Sequence, residues 1–178
     1  EKLKANPDAY LASHSQCVAV MACAIAERLN WASNFTFCKL SLAAMVHDLP
    51  VAHMRREQVL ELDRMAAKRE LNKPDIVLYR RHSLAAEALV AEVKNSPPDI
   101  GLIVSQHHEM PDGSGFPNGM DGTKIAPLAA VFLVAHDFID YSWGRRIDQA
   151  VLKEFIELRK DHYGFGQFRK ILAVFNFE

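Results

Sequence analysis

Five of the eight histidines in this 178-residue chain, together with two aspartates, are placed as if to build one site. His14, the pair His47-Asp48, His82, the pair His107-His108 and Asp137 follow one another at intervals of roughly one helix plus a connection. Helices of that length can each deliver a ligand to a common point. Neutral imidazole and carboxylate suit iron, manganese, nickel or zinc. A carboxylate can bridge two metals, which an imidazole nitrogen cannot, so Asp48 is the natural bridge. Two metals about 3.5–4 Å apart can hold a hydroxide and polarise a phosphoryl oxygen together, drawing the pKa of water from about 15.7 towards about 7.

A lone histidine on an apolar helix face is more often an ordinary hydrogen-bonded residue, and His53, His136 and His162 are left in that class. His136-Asp137 repeats the His-Asp dipeptide, but adjacent helical residues point about 100° apart, so both need not face one point. Asp137 is kept as the candidate because Val131, Phe132, Val134 and Ala135 crowd it. A carboxylate in such surroundings is costly unless it is paired or coordinated.

Helices must position these side chains. Between residues 13 and 29, Val18, Met21, Ala22, Ile25, Ala26 and Leu29 recur at three- and four-residue steps. Further helices are expected over 37–48, stopped near Pro50, and over 55–71, 75–93, 99–108, 126–141, 148–160 and 165–175. The apolar run 102–104 is ambiguous between helix and strand. Residues 110–124 hold Gly113, Gly115, Gly119 and Gly122 with Pro111 and Pro117, the composition of a constrained loop. The fold class expected is all-α: a compact bundle of about seven or eight helices carrying one glycine- and proline-rich loop.

Composition narrows the partners. The formal net charge is −1, so no global field draws the chain to DNA or to an anionic membrane. No run approaches the roughly 18 apolar residues of a membrane span, and no signal peptide opens the chain. Cys17, Cys23 and Cys38 are odd in number and form no CxxC, which fits reduced thiols in a cytoplasmic protein. The chain is expected to be one domain, 1–178, and its start on Glu1 suggests a piece of a longer protein.

His47-Asp48 and the segment His107-His108-Glu109-Met110-Pro111-Asp112-Gly113-Ser114-Gly115-Phe116-Pro117 resemble the HD-GYP branch of the HD-domain phosphohydrolases. The segment is similar to the pattern HHExxDGxGYP at seven of its eight fixed positions, with Phe116 in place of tyrosine. The resemblance implies an HD-type helical fold, iron or manganese as metals, and a phosphodiesterase that opens cyclic di-GMP to linear pGpG and on to GMP. It implies that His14, His47, Asp48 and Asp137 hold one metal and that Asp48, His82, His107 and His108 hold the other, with His47 and Asp48 at the catalytic centre. Asp140 also falls in the expected order. Arg146 resembles a family arginine that contacts phosphate, although Arg145 and Arg146 also read as a solvated pair.

Asp112, Gly113, Gly115 and Phe116 are the loop's candidates for substrate contact. Phe116 either stacks on a guanine face, for roughly 1–3 kcal/mol, or plugs the loop onto the core. The chain departs from the family at two places. Its run His47-Asp48-Leu49-Pro50-Val51 lacks the glycine and the phosphate-contacting lysine of HDxGK. Tyr10 occupies the place of a third-metal glutamate, which favours two divalent ions. The alternatives are a catalytically weak or inactive module that binds cyclic di-GMP or a signalling protein, and a hydrolase of another nucleotide phosphoester. A regulatory domain in the same chain is a further expected partner.

Overall fold

A computed structural model describes residues 10–67 and 74–176. Nine α-helices and one 3-10 turn are found among the described residues: α1 Tyr10–Arg28, α2 Asn34–Val46, the 3-10 turn Leu49–Val51, α3 Arg56–Ala67, α4 Pro74–Arg80, α5 His82–Ala91, α6 Ile100–Ser105, α7 Pro127–Ser142, α8 Gln149–Tyr163 and α9 Gly166–Ala173. No strand occurs among them. The pair Asp112 and Asp121 forms an isolated bridge within the loop. Residues 68–71 of the helix expected over 55–71 lie outside the described residues.

The extra helix comes from a break inside 75–93. Arg81 turns out of line at φ −96°, ψ −5°, and its N–H bonds back to the Leu78 carbonyl at 3.0 Å. Apolar spacing runs on across this break, so the sequence reads as one helix, yet the break makes His82 the first residue of α5. The ambiguous run 102–104 is helical, within α6. α2 begins at Asn34, earlier than its apolar spacing suggests, because the Ser33 hydroxyl accepts the Thr36 N–H at 3.0 Å. It ends at Val46, with His47 as its C-cap and Pro50 in the turn beyond.

α7 is the axis of the molecule. Residues 129–135 are all buried, and α1, α6, α8 and α9 pack around the helix. A helix covered on all sides is apolar all round rather than amphipathic. A second, smaller cluster joins Val51, Val59, Ala66, Ile76, Tyr79 and Phe116 beneath α3, α4 and the glycine-rich loop. The histidines lie between the two: His47 and His107 pack on Phe132 of the larger core, and His82 and His108 on Tyr79 and Phe116 of the smaller.

Candidate metal centre

His14 enters from the first turns of α1, His47 and Asp48 from the end of α2, and His82 from the start of α5. His107 and His108 follow α6, and His136 projects from α7. Two groups of potential ligand atoms result, each with its atoms within 4.8 Å of one another: His14, His47, Asp48 and His136, and Asp48, His82, His107 and His108. Asp48 belongs to both. Its Oδ2 lies 3.3 Å from His47 Nε2 and 4.0 Å from His14 Nε2, while Oδ1 lies 3.3 Å from His82 Nε2 and 3.6 Å from His107 Nε2.

The backbone decides which nitrogen faces inward. His47, His82 and His107 each set Nδ1 against the carbonyl three residues earlier, that of Ala44 at 2.9 Å, Tyr79 at 2.6 Å and Val104 at 2.6 Å. A carbonyl only accepts, so Nδ1 carries the proton and Nε2 presents a lone pair. On the other side, Asp140 stands 3.4 Å from His14 Nδ1 and 3.4 Å from His136 Nδ1. The Nε2 atoms of His82 and His107 are then only 3.1 Å apart, and those of His14 and His47 3.4 Å. Imidazole nitrogens and carboxylate oxygens that converge this closely suit a cation. The donor set therefore fits a divalent metal on each side of Asp48.

Charge regulation at His14 and His107 favours the same state, whereas at His82 burial is outweighed by the neighbouring Asp48 carboxylate, which raises the pKa. Burial, reinforced by the neighbouring His47, lowers the pKa of His14 to about 3, and burial lowers that of His107 to about 4. Both imidazoles are thus neutral and able to coordinate. Burial presses the Asp48 carboxyl upward, but His47, His107 and His82 outweigh it and hold the group well below the usual carboxylate range.

Six of the seven residues expected as ligands meet here, and Asp137 stands apart. Its carboxylate accepts from Arg159 Nε at 2.6 Å, from a terminal nitrogen of Arg159 at 2.8 Å and from the Tyr163 hydroxyl at 2.9 Å. His136, expected to be an ordinary residue, occupies the place proposed for Asp137. The i, i+4 relation of His136 to Asp140 puts that pair on the helix face towards His14, a signal the sequence did hold. Tyr10 packs its ring on His14 and Trp143 instead of offering a carboxylate.

The loop residues serve the loop first. Phe116 is 5% exposed and stacks on His108, with ring centroids 4.4 Å apart at 19°. Its burial fits the plug, and it also lines the cavity beside His107 and His108. Gly113 has φ +77°, and a Cβ on Gly115 would come within 2.2 Å of the Met110 nitrogen, so both glycines are needed for the loop's own path. Asp112 is exposed and accepts the Ser114 N–H at 2.9 Å. Glu109, quoted in the motif but given no role, is fully buried and accepts the N–H groups of Asn118 at 2.8 Å and Met120 at 2.7 Å, pinning the loop. Arg146 is exposed after α7 and is not among the cavity-lining residues. Val51, which follows His47-Asp48 where a lysine was expected, is buried in the smaller core.

A cavity of about 480 Å³ opens beside His107, His108 and His136. Its walls include Asp63, Arg64, Gly115, Asp137, Asp140 and Arg159, and its size falls in the range of small-molecule sites. Another cavity of about 410 Å³, between Pro111, Gly122, Phe165 and Gln167, contains no histidine. No helix among the described residues is long and apolar enough to cross a membrane.

Comparison with known proteins agrees with this fold. The family described as "HD domain" matches residues 2–163. No curated protein matches the chain. The fold is similar to that of Bd1817, an HDG"Y"P protein from Bdellovibrio bacteriovorus, with a TM-score of 0.69 and 20% identity over 92% of this chain and 52% of that one. The chain spans about half the length of that structure.

Proposed function

The chain belongs to the HD-domain family, and on that premise we propose that it is a metal-dependent phosphodiesterase that opens cyclic di-GMP to linear pGpG and on to GMP. The observation that carries the reading is the convergence of imidazole nitrogens and carboxylate oxygens in two groups that share Asp48. His14, His47, Asp48 and His136 would hold one divalent ion, and Asp48, His82, His107 and His108 the other, with iron or manganese the metals the family resemblance implies. Such a pair would supply an activated water and absorb phosphoryl charge.

The protein's own groups do the rest. Asp48 fixes the spacing of the two positions. The carbonyls of Ala44, Tyr79 and Val104 keep the imidazoles in the coordinating tautomer. Glu109 pins the loop and Phe116 stacks on His108 beside the cavity. The motif HHExxDGxG, read from the sequence, supports the dinucleotide as the ligand.

One observation favours a second reading. Val51 puts no cation after His47-Asp48, which suits a dinucleotide-binding signalling module with slow or no turnover. The test is anaerobic incubation with cyclic di-GMP and manganese or ferrous iron, followed by chromatography. The proposal expects pGpG to accumulate. Tight binding without product supports the module, and cleavage of other phosphodiesters but not of cyclic di-GMP moves the reading to another nucleotide.

A further inference from the structure

Arg159 and Asp137 make a bidentate ion pair on the wall of the cavity that contains His107, His108 and His136. The pair is held firmly. The Tyr163 hydroxyl, one turn further along α8, donates to the same Asp137 Oδ2 at 2.9 Å. Tyr163 itself is fully buried and its ring stacks on Phe168, with centroids 5.6 Å apart at 14°. The guanidinium also lies over the Phe155 ring, 5.8 Å from its centroid. Asp137 is thereby occupied from two points on one helix, and Arg159 is fixed in direction.

A guanidinium carries five N–H groups, and this pair uses two of them. The Arg159 side chain keeps 27% of its surface, at the cavity. Metals held by the ligand groups would face one side of a phosphodiester, and a cation in the cavity wall can take its remaining oxygens. Val51 supplies none, and Arg146 lies outside the cavity lining. Arg64 lines the cavity as well but is exposed, whereas Arg159 is preorientated, the condition under which an arginine fork recognises oxyanions well.

We propose that Arg159 binds the non-bridging oxygens of the phosphodiester, and that Asp137 is the positioning residue that aims it rather than a metal ligand. The inference rests on reading the cavity as a phosphodiester site. It has a sharp consequence: an Asp137 that coordinates metal must release Arg159, so the two roles separate in experiment.

The test uses metal-loaded protein as wild type, Arg159→Ala, Asp137→Ala and the double variant, with metal equivalents counted and the affinity for inorganic phosphate measured by calorimetry. Phosphate probes the oxyanion site whatever the organic part of the substrate. All four proteins should keep their metals. Arg159→Ala should weaken phosphate roughly ten- to hundredfold. Asp137→Ala should weaken it in the same direction, and the double variant no more than Arg159→Ala alone. If Arg159→Ala does not fold, Arg159→Lys and Asp137→Asn replace the alanine variants, the first losing part of the affinity and the second keeping its metals.

Loss of a metal equivalent on changing Asp137, or wild-type phosphate affinity without Arg159, overturns the inference. Wild type that binds phosphate through Arg159 but does not take cyclic di-GMP sinks the dinucleotide reading and upholds Arg159. Wild type that takes up metal and binds no phosphate overturns both.

Discussion

Asp48 Oδ1 and His82 Nε2 meet at 3.3 Å, and this contact joins the two halves of the site, because the other oxygen of the same carboxylate faces His47. A residue shared by both groups should matter to both metals, and a histidine to one. Asp48→Ala should lose both metal equivalents, while His82→Ala keeps the one among His14, His47, Asp48 and His136. Elemental analysis of proteins prepared in parallel decides it, and equal losses in the two variants would speak against a bridging role.

His136 leads to a second prediction. It belongs to the first ligand group and its Nδ1 faces Asp140 at 3.4 Å. His136→Ala should lower the metal content by one equivalent, as His14→Ala should. His162→Ala, a change of a half-buried histidine beside Asp112, should leave it untouched. Retention of both metals by His136→Ala contradicts the assignment.

Much of the fold and of the histidine cluster was readable in the sequence, and the differences have physical causes. His47-Asp48 and His107-His108 stand in fixed local motifs at helix ends, where a dipeptide reports its own geometry. His82 is visible by type, although the turn at Arg81 that orients it is hidden beneath continuous apolar spacing. Asp137 and His136 could not be separated by neighbours alone. Crowding says that a carboxylate needs a partner, and the partner, Arg159, comes from a different helix. Phe116 shows the same limit, since its burial depends on α3 and α4 closing over it.

Metal removal should loosen the fold. Without cations, the Nε2 atoms of His82 and His107 are left crowded 3.1 Å apart beside Asp48. Ligands that bind only the native state stabilise it by about 2.7 kcal/mol at a hundred times their Kd. A chelator should therefore lower the Tm by several degrees, and manganese or ferrous iron should restore it. An unchanged Tm after verified metal loss would show that the histidines are satisfied on their own.

Phe116 should act through packing. It is buried in the smaller core and stacked on His108. Phe116→Ala should cost about 3–5 kcal/mol in urea unfolding, whereas Phe116→Tyr, the family's usual residue, should cost far less. A stable alanine variant that loses only dinucleotide affinity would return Phe116 to the role of a stacking platform.

Val51→Lys tests whether the lysine of HDxGK can simply be restored. Val51 is 5% exposed and packs in the smaller core with Val59, Ile76, Tyr79 and Phe116. A lysine there must bury its ammonium or open the turn after Asp48, at a cost on the order of 2–3 kcal/mol. Thermal unfolding should show the loss, with no gain in turnover. A stable and faster variant would mean that the turn can re-aim residue 51 towards the metals.

The central claim, two metals sharing Asp48, is tested most directly by a crystal structure of anaerobically metal-loaded protein with anomalous data at the metal edge. The account predicts two peaks, one among His14, His47, Asp48 and His136 and one among Asp48, His82, His107 and His108, with Asp137 still paired to Arg159. A single peak, or a metal ligated by Asp137 with Arg159 released, contradicts it.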